Sequence, residues 1–277
     1  MHFDLGCRLT YIATKDTTLI LNIEAQHLRG QRILSEIFTV TPHARGEAHD
    51  VPETANRYRR LRLAPGKYTI RYEATVETEP VTARPERVGE MAIDELPFEV
   101  MNHLFPSRYC ESDQLARFAW RRFGDMTPGH GRIEAICDWI HDNVDYLEGS
   151  SDSSTSALDT FATRAGVCRD FAHLGISFCR ALGIPARFVS AYGWKLEPQD
   201  FHAVFEAYLG GRWYLFDPTR LSPPDGIVRI GVGRDAADTA FATWFGVLES
   251  EPKSVWVNEA AGGAVAPPQQ AVSVSAN

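Results

Sequence analysis

One stretch constrains the fold more than any other: residues 200–220, DFHAVFEAYLGGRWYLFDPTR, form two alternating runs joined by Gly210-Gly211. A glycine pair in this position predicts a tight two-residue hairpin loop. If the residues that flank the glycines pair, the register brings His202 and Asp217 onto one face as diagonal neighbours. Their Cα atoms would be about 7–8 Å apart, within reach of a histidine–aspartate hydrogen bond. A four-residue loop would keep this register, whereas a three-residue loop would break it.

The second constraint is an amphipathic helix within residues 163–187, TRAGVCRDFAHLGISFCRALGIPAR. Apolar side chains recur at helical spacing, and Gly183 and Pro185 predict where the helix ends. Cys168 then lies in the first turn, where free N–H groups and the helix dipole favour an anion such as a thiolate. The same N–H groups could hold the oxyanion of a tetrahedral intermediate. Cys179 lies in the apolar stripe and is expected to fill the core.

The helix and the hairpin supply the three groups of a thiol-dependent catalytic triad. Cys168 would be the nucleophile, His202 the general base and acid, and Asp217 the carboxylate that orients the imidazole. Each has a simpler structural interpretation, in which the histidine only begins an edge strand and the aspartate only begins a turn. The combination favours the triad. A zinc site would need further ligands, so no metal and no cofactor is expected.

Periodicity divides the chain into two folded parts and a tail. Residues 1–100 contain short alternating runs without a helical period, which predicts an antiparallel β-sandwich. Residues 101–257 contain predicted helices and then strands, the pattern of an α+β domain. The three helices predicted before the one at Cys168 begin at Ser112, at Thr127-Pro128 and near Ala157. Residues 258–277, rich in Ala, Gly, Pro, Gln and Ser, are predicted to be disordered.

Composition narrows the classes of partner and compartment. A formal net charge of -8 argues against nucleic-acid binding, which needs a basic face. No stretch approaches the roughly 18 apolar residues of a membrane span, and the N-terminus has no signal-peptide pattern. The five cysteines form no CxxC pair, so we expect neither a disulfide framework nor a zinc knuckle. These features favour a cytoplasmic protein with no membrane partner, although a fragment of a longer exported chain stays open. The sequence does not predict an oligomeric state.

Several segments in order resemble the bacterial transglutaminase-like family, which is related to the papain-like thiol enzymes. They are GVCRDFAHL, CRALGIPAR, DFHAVFEAYLGGRWYLFDPT and VGRDAADTA. The resemblance covers about residues 110–250, and residues 1–100 fit more loosely the β-rich domain that is often fused to that core. It implies helices packed on an antiparallel sheet, with Cys168 as nucleophile, His202 as base and Asp217 as orienting acid.

The resemblance also points to residues around the triad. Arg169, Asp170 and His173 match the family pattern next to the cysteine and are expected to have structural or supporting roles. A side-chain oxyanion donor, a tryptophan in animal transglutaminases, is not identifiable by spacing. Tyr146 and Asn143, just after the preceding helix, are the candidates.

The predicted function is acyl transfer at an amide carbonyl of a protein or peptide substrate. Resolution of the acyl-enzyme by water would give a cysteine protease or amidase, and resolution by an amine would give a transglutaminase. The resemblance slightly favours a protease. The alternative from another class is a catalytically silent module that binds or scaffolds a partner protein.

Overall fold

The computed structural model describes residues 1–260 and 270–274 of the chain. The N-terminal region begins with seven strands: β1 (His2–Ala13), β2 (Thr17–Leu21), β3 (Gln31–Thr41), β4 (Arg45–Asp50), β5 (Arg57–Leu63), β6 (Gly66–Thr78) and β7 (Val81–Ala83). Three short 3-10 helices lead out of this region: Pro85–Arg87, Ile93–Glu95 and Phe98–His103.

The following region carries four α-helices and two short strands: α1 (Ser112–Phe123), α2 (His130–Asn143), β8 (Asp145–Tyr146), α3 (Ala157–Thr163), β9 (Ala165–Gly166) and α4 (Cys168–Ala181). The remaining strands are β10 (Ala186–Gly193), β11 (Phe201–Leu209), β12 (Arg212–Phe216), β13 (Ile227–Gly233), β14 (Ala242–Phe245), β15 (Leu248–Ser250), β16 (Ser254–Glu259) and β17 (Ala271–Ser273). A 3-10 turn, Pro224–Gly226, precedes β13. The predicted α+β class is confirmed.

The N-terminal strands form two antiparallel sheets around one apolar core. One sheet has the order β15-β1-β6-β3, with β16 also paired to β1, and the other has the order β14-β2-β5-β4. Side chains alternate between core and solvent, as β6 shows with its buried Tyr68, Ile70 and Tyr72. This period of two is what a sheet with one buried face requires. The predicted sandwich is therefore present.

The C-terminal strands extend the sandwich, which differs from the predicted domain limits. β14 pairs with β2, and both β15 and β16 pair with β1, so residues 242–257 do not belong to the predicted α+β domain alone. The tail predicted to be disordered from residue 258 contains the end of β16 and the buried strand β17, which pairs with β7. The short runs of sequence that form these strands do not indicate that their pairing partners lie in the N-terminal region. Residues 261–269 and 275–277 of the predicted tail lie outside the described residues.

Four helices pack against an antiparallel sheet with the order β12-β11-β10-β13. The buried ring of Phe178 in α4 contacts Phe118 at 5.3 Å, Phe123 at 5.7 Å and Trp139 at 5.5 Å between ring centroids. A buried aromatic of this kind stabilises the fold by about 3–5 kcal/mol relative to alanine. This cluster fixes α4, and with it the position of Cys168.

Helix α4 lies unusually close to the sheet, and its ends are well defined. A Cβ on Gly175 would lie 2.6 Å from the ring of Phe205, so only glycine allows this approach. At the first turn, the carboxylate of Asp170 accepts the Val167 N–H at 2.9 Å, which satisfies one of the free donors. Gly183, with φ +80°, ends the helix as predicted.

Candidate active site

The hairpin has the predicted register. Leu209 pairs with Arg212 and the ladder continues to Phe205 and Phe216. Just beyond the ladder, His202 Nε2 lies 2.8 Å from Asp217 Oδ2, and both side chains are almost entirely buried.

The loop after β12 surrounds the carboxylate of Asp217 with donors. Oδ1 accepts the Thr219 N–H at 2.9 Å and the Thr219 hydroxyl at 2.6 Å. Oδ2 accepts the Ser222 N–H at 3.3 Å in addition to His202. Arg220 adopts a left-handed φ of +60°, a strained conformation for a non-glycine residue that turns the chain around the carboxylate. The loop therefore orients Asp217 before any substrate binds.

These contacts set the charges of the pair. Burial would lower the pKa of His202, but the negative charge and hydrogen bond of Asp217, and then Cys168, outweigh it and raise the pKa to about 10. Burial would raise the pKa of Asp217, yet the charge of His202 and the hydrogen bonds from His202 and Thr219 lower it overall. A carboxylate can only accept, so Nε2 of the ring carries the proton of this bond. Each partner therefore favours the charged form of the other.

Cys168 is the first residue of α4 and is half-buried. It lies close enough to His202 for its side chain to contribute to the raised pKa of the ring. Nδ1 of His202, the nitrogen that Asp217 does not engage, has no hydrogen-bond partner among the residues that the structure describes. The structure thus brings together the three residues of the predicted triad.

Of the two oxyanion candidates, only Tyr146 lies at the thiol. The two-residue parallel bridge between β8 and β9 places Tyr146 opposite Gly166. Burial raises the pKa of Tyr146, and contact with the side chain of Cys168 raises it further, while the Cys168 N–H lowers it. Asn143 is exposed, and its side-chain amide donates to Trp139 O of its own helix at 2.8 Å. Its amide is thereby directed to α2 and not to the triad.

The residues that follow Cys168 stabilise its surroundings. Asp170 is fully buried and, besides capping α4, accepts the Ser151 hydroxyl at 2.5 Å and Arg169 Nη2 at 2.8 Å. Arg169 also donates to Asp152 O at 2.6 Å. They therefore tie the loop that follows β8 to the first turn of the helix.

His173, the third residue of this group, lies in the core. Its ring stacks on Tyr109 at 5.1 Å, and Nε2 accepts the Ala236 N–H at 3.1 Å. Burial, with the charges of Arg169 and Arg180, lowers the pKa of His173 well below its ordinary value. It is a neutral packing residue in this structure.

The donors to Asp217 were not among the predicted site residues. Thr219 and Ser222 follow the aspartate in an Asp-Pro-Thr turn. An aspartate whose side chain accepts from the residue two positions later is a common turn motif, and this signal would have identified Thr219. The strained Arg220 has no comparable sequence signal.

Within residues 1–260 and 270–274, no cluster of three His, Cys, Asp or Glu side chains is arranged to hold a metal ion. No helix in those ranges has the length and apolar character to cross a membrane.

Fold and sequence identify the class. The chain belongs to the transglutaminase-like superfamily, which it matches over residues 119–218, and residues 1–98 match the N-terminal domain of bacterial transglutaminases.

Individual relatives fit this assignment. The crystal structure of "a Putative Cysteine Protease" from Cytophaga hutchinsonii is 41% identical, covers 99% of this chain and 97% of that chain, and superposes with a TM-score of 0.94. An uncharacterised protein of Mycobacterium leprae is 29% identical over 195 residues, which are 65% of this chain and 68% of the relative. An uncharacterised protein of Mycobacterium tuberculosis is 32% identical over 142 residues, and the match spans 46% of this chain and 45% of the relative.

Proposed function

We propose that the protein is a thiol enzyme that transfers acyl groups from the amide carbonyl of a protein or peptide substrate. The observation that carries this proposal is the buried His202–Asp217 pair, whose imidazole interacts with the side chain of Cys168 at the start of α4. A helix N-terminus and a neighbouring imidazolium both favour the nucleophilic, anionic form of a thiol.

In the proposed reaction, the sulfur of Cys168 attacks the carbonyl carbon and forms a C–S bond, while the carbonyl electrons move to oxygen. His202 then donates the Nδ1 proton to the leaving nitrogen as the C–N bond breaks, so that an amine or ammonia departs and a thioester remains. Water or an amine attacks the thioester and gives its proton to His202. The thiolate leaves, and the starting state is restored.

The negative oxygen of the intermediate would be held by the Cys168 N–H and the Tyr146 hydroxyl. The Tyr146 hydroxyl interacts with both the N–H and the side chain of Cys168, and a phenol can donate its proton to an oxyanion. Donors of this kind typically contribute on the order of 10²–10³-fold to kcat. We expect Asn143 to have no part in the reaction, because its side chain is bonded to α2.

We favour water as the second substrate, which makes the enzyme a cysteine protease or amidase. The support is the relative from Cytophaga hutchinsonii, which is named as a putative cysteine protease and matches nearly the whole chain.

The first experiment tests the activated thiol. With limiting iodoacetamide near pH 6, Cys168 should react on the order of ten- to a hundredfold faster than a peptide thiol. The other four cysteines are buried, and burial raises the pKa of Cys7 to about 11 and that of Cys110 to about 12, so they serve as internal controls. His202→Ala should lower the alkylation rate of Cys168 to that of a peptide thiol. Equal rates for Cys168 and a peptide thiol would favour the silent scaffold instead.

The second experiment identifies the acyl acceptor. The protein is incubated with casein and a fluorescent primary amine, with Cys168→Ala as the control. Casein fragments without incorporated fluorescence are expected for a protease. Fluorescent, uncleaved casein would show that an amine resolves the acyl-enzyme and would assign a transglutaminase.

A further inference from the structure

The strand edge beside the thiol has unused main-chain groups. β8 pairs with β9 through the Asp145 N–H, which donates to Arg164 O at 2.9 Å, and the Leu147 N–H, which donates to Gly166 O at 2.9 Å. Successive residues of a strand present their main-chain groups to opposite sides. The N–H and C=O of Tyr146 therefore point away from β9, and within the described part of the chain no hydrogen bond to either is found.

An apolar side chain lies at the same edge on a fixed backbone. The side chain of Leu147 is 55% exposed. Its carbonyl nevertheless accepts the Ser150 hydroxyl at 2.6 Å and the Ser150 N–H at 3.3 Å. The loop is held further by the bond from Ser151 to the buried Asp170. An exposed apolar group that the main chain holds in place is suited to bind a partner rather than to solvate a loop.

We propose that an extended segment of the substrate polypeptide adds to this edge as a strand, with an apolar side chain over Leu147. One substrate residue would donate its N–H to Tyr146 O and accept the Tyr146 N–H. This inference rests on the proposed function and names its substrate class: an unfolded or extended polypeptide with an apolar residue near the attacked carbonyl. A single small amide lacks the N–H and C=O of one residue on the same side, because these belong to two successive peptide bonds.

Peptidyl chloromethyl ketones test the side-chain preference. The Cys168 thiolate displaces chloride from such a probe and forms a thioether, so the rate of inactivation reports binding and alkylation together. Each rate is divided by the iodoacetamide rate of the same protein. Probes that carry leucine are expected to inactivate the protein at least about tenfold faster than probes that carry aspartate. Burial of one leucine side chain contributes enough free energy of binding for a difference of this size.

The variant Leu147→Ser should reduce this leucine-to-aspartate ratio to near one. The matched control is Leu34→Ser, a change at a 44% exposed leucine on β3 of the sandwich, which should leave the ratio unchanged. An unchanged ratio in Leu147→Ser would overturn the assignment of Leu147.

N-methylated probes test the main-chain pairing. Only every second N–H of a paired strand points to its neighbour, so two probes methylated at successive nitrogens should differ. One should lose about tenfold or more in rate, and the other should keep its rate. Equal rates for the two would overturn strand addition. If iodoacetamide itself shows no selectivity for Cys168, the proposed function fails first, so the two failures are distinguishable.

Discussion

Two fully buried histidines of the transglutaminase-like core have pKa values that are shifted in opposite directions. His202 and His173 are both completely inaccessible to solvent. Burial lowers the pKa of each, yet the pKa of His202 is raised to about 10 while that of His173 is lowered well below its ordinary value. The difference is the partner: His202 contacts the carboxylate of Asp217, whereas His173 accepts a main-chain N–H from Ala236.

Burial therefore does not decide what a histidine does in this fold. One charged neighbour at 2.8 Å reverses the effect of desolvation and favours the protonated ring. The neighbouring positively charged arginines act in the other direction on His173. Each substitution below changes the surroundings of only one of these two histidines.

The largest effect is expected from Asp217→Asn. Without the carboxylate, burial dominates and the pKa of His202 should fall below its ordinary value. The imidazolium is then lost at neutral pH, and kcat/KM for amide cleavage should fall by roughly 10²–10⁴-fold. Retention of more than a tenth of the wild-type kcat/KM would contradict the role of Asp217.

The pH dependence of stability should distinguish wild type from the same variant. The folded pKa of His202 lies above the unfolded one, so its contribution is complete below about pH 6.5 and is lost as the pH rises through about 10. In that window the free energy of unfolding of wild type should fall more steeply than that of Asp217→Asn, by at most about 1.4 kcal/mol per pH unit. Because the pKa of Asp217 is lowered in the folded protein, stability should also be lost as the pH falls through that pKa. Urea unfolding at several pH values measures both, and parallel curves would argue against the ion pair.

His173→Leu should lower the free energy of unfolding but leave the reactivity of the Cys168 thiol unchanged. Leucine leaves the buried Ala236 N–H without its acceptor, which costs about 1–3 kcal/mol in the free energy of unfolding. The rate of Cys168 alkylation in the folded protein should stay within about twofold of wild type, because the His202–Asp217 pair is intact. A loss of alkylation comparable to that of His202→Ala would assign His173 to the reaction.

The smallest effect is expected from Thr219→Val. Valine has nearly the same shape but removes the 2.6 Å bond to Asp217 Oδ1, which holds the carboxylate in its orientation. Loss of one such bond corresponds to about a tenfold decrease in kcat/KM, and Thr219→Ser should restore the activity. If serine fails to restore it, the methyl packing of Thr219 matters more than its hydroxyl.

Much of the site could be predicted because local patterns specify it. The glycine pair of the hairpin fixed the register that brings His202 to Asp217, and the apolar period with its stop signals placed Cys168 in the first turn of α4. The charges of the two histidines could not be predicted. They depend on how completely tertiary packing buries each ring and on which charged groups that packing leaves nearest to it.

The domain limits could not be predicted from local sequence patterns either. The runs that form β14, β15 and β16 alternate weakly and are short, and nothing in their own residues shows that their partners are β1 and β2. Whether a segment forms a strand depends largely on its own residues, whereas the strand it pairs with depends on the whole chain.

The return of β14, β15 and β16 to the sandwich makes the transglutaminase-like core an insertion rather than an appended module. Both ends of the core are anchored in the same sandwich, so a single cut in the chain cannot release two complete domains. A shortened protein that ends after β13 would expose the edges of β1 and β2, which are apolar strands with free hydrogen-bonding groups and hence sites of aggregation. For protein engineering, the unit that can be exchanged between relatives is therefore the segment between β7 and β14, transplanted as a loop between two fixed attachment points.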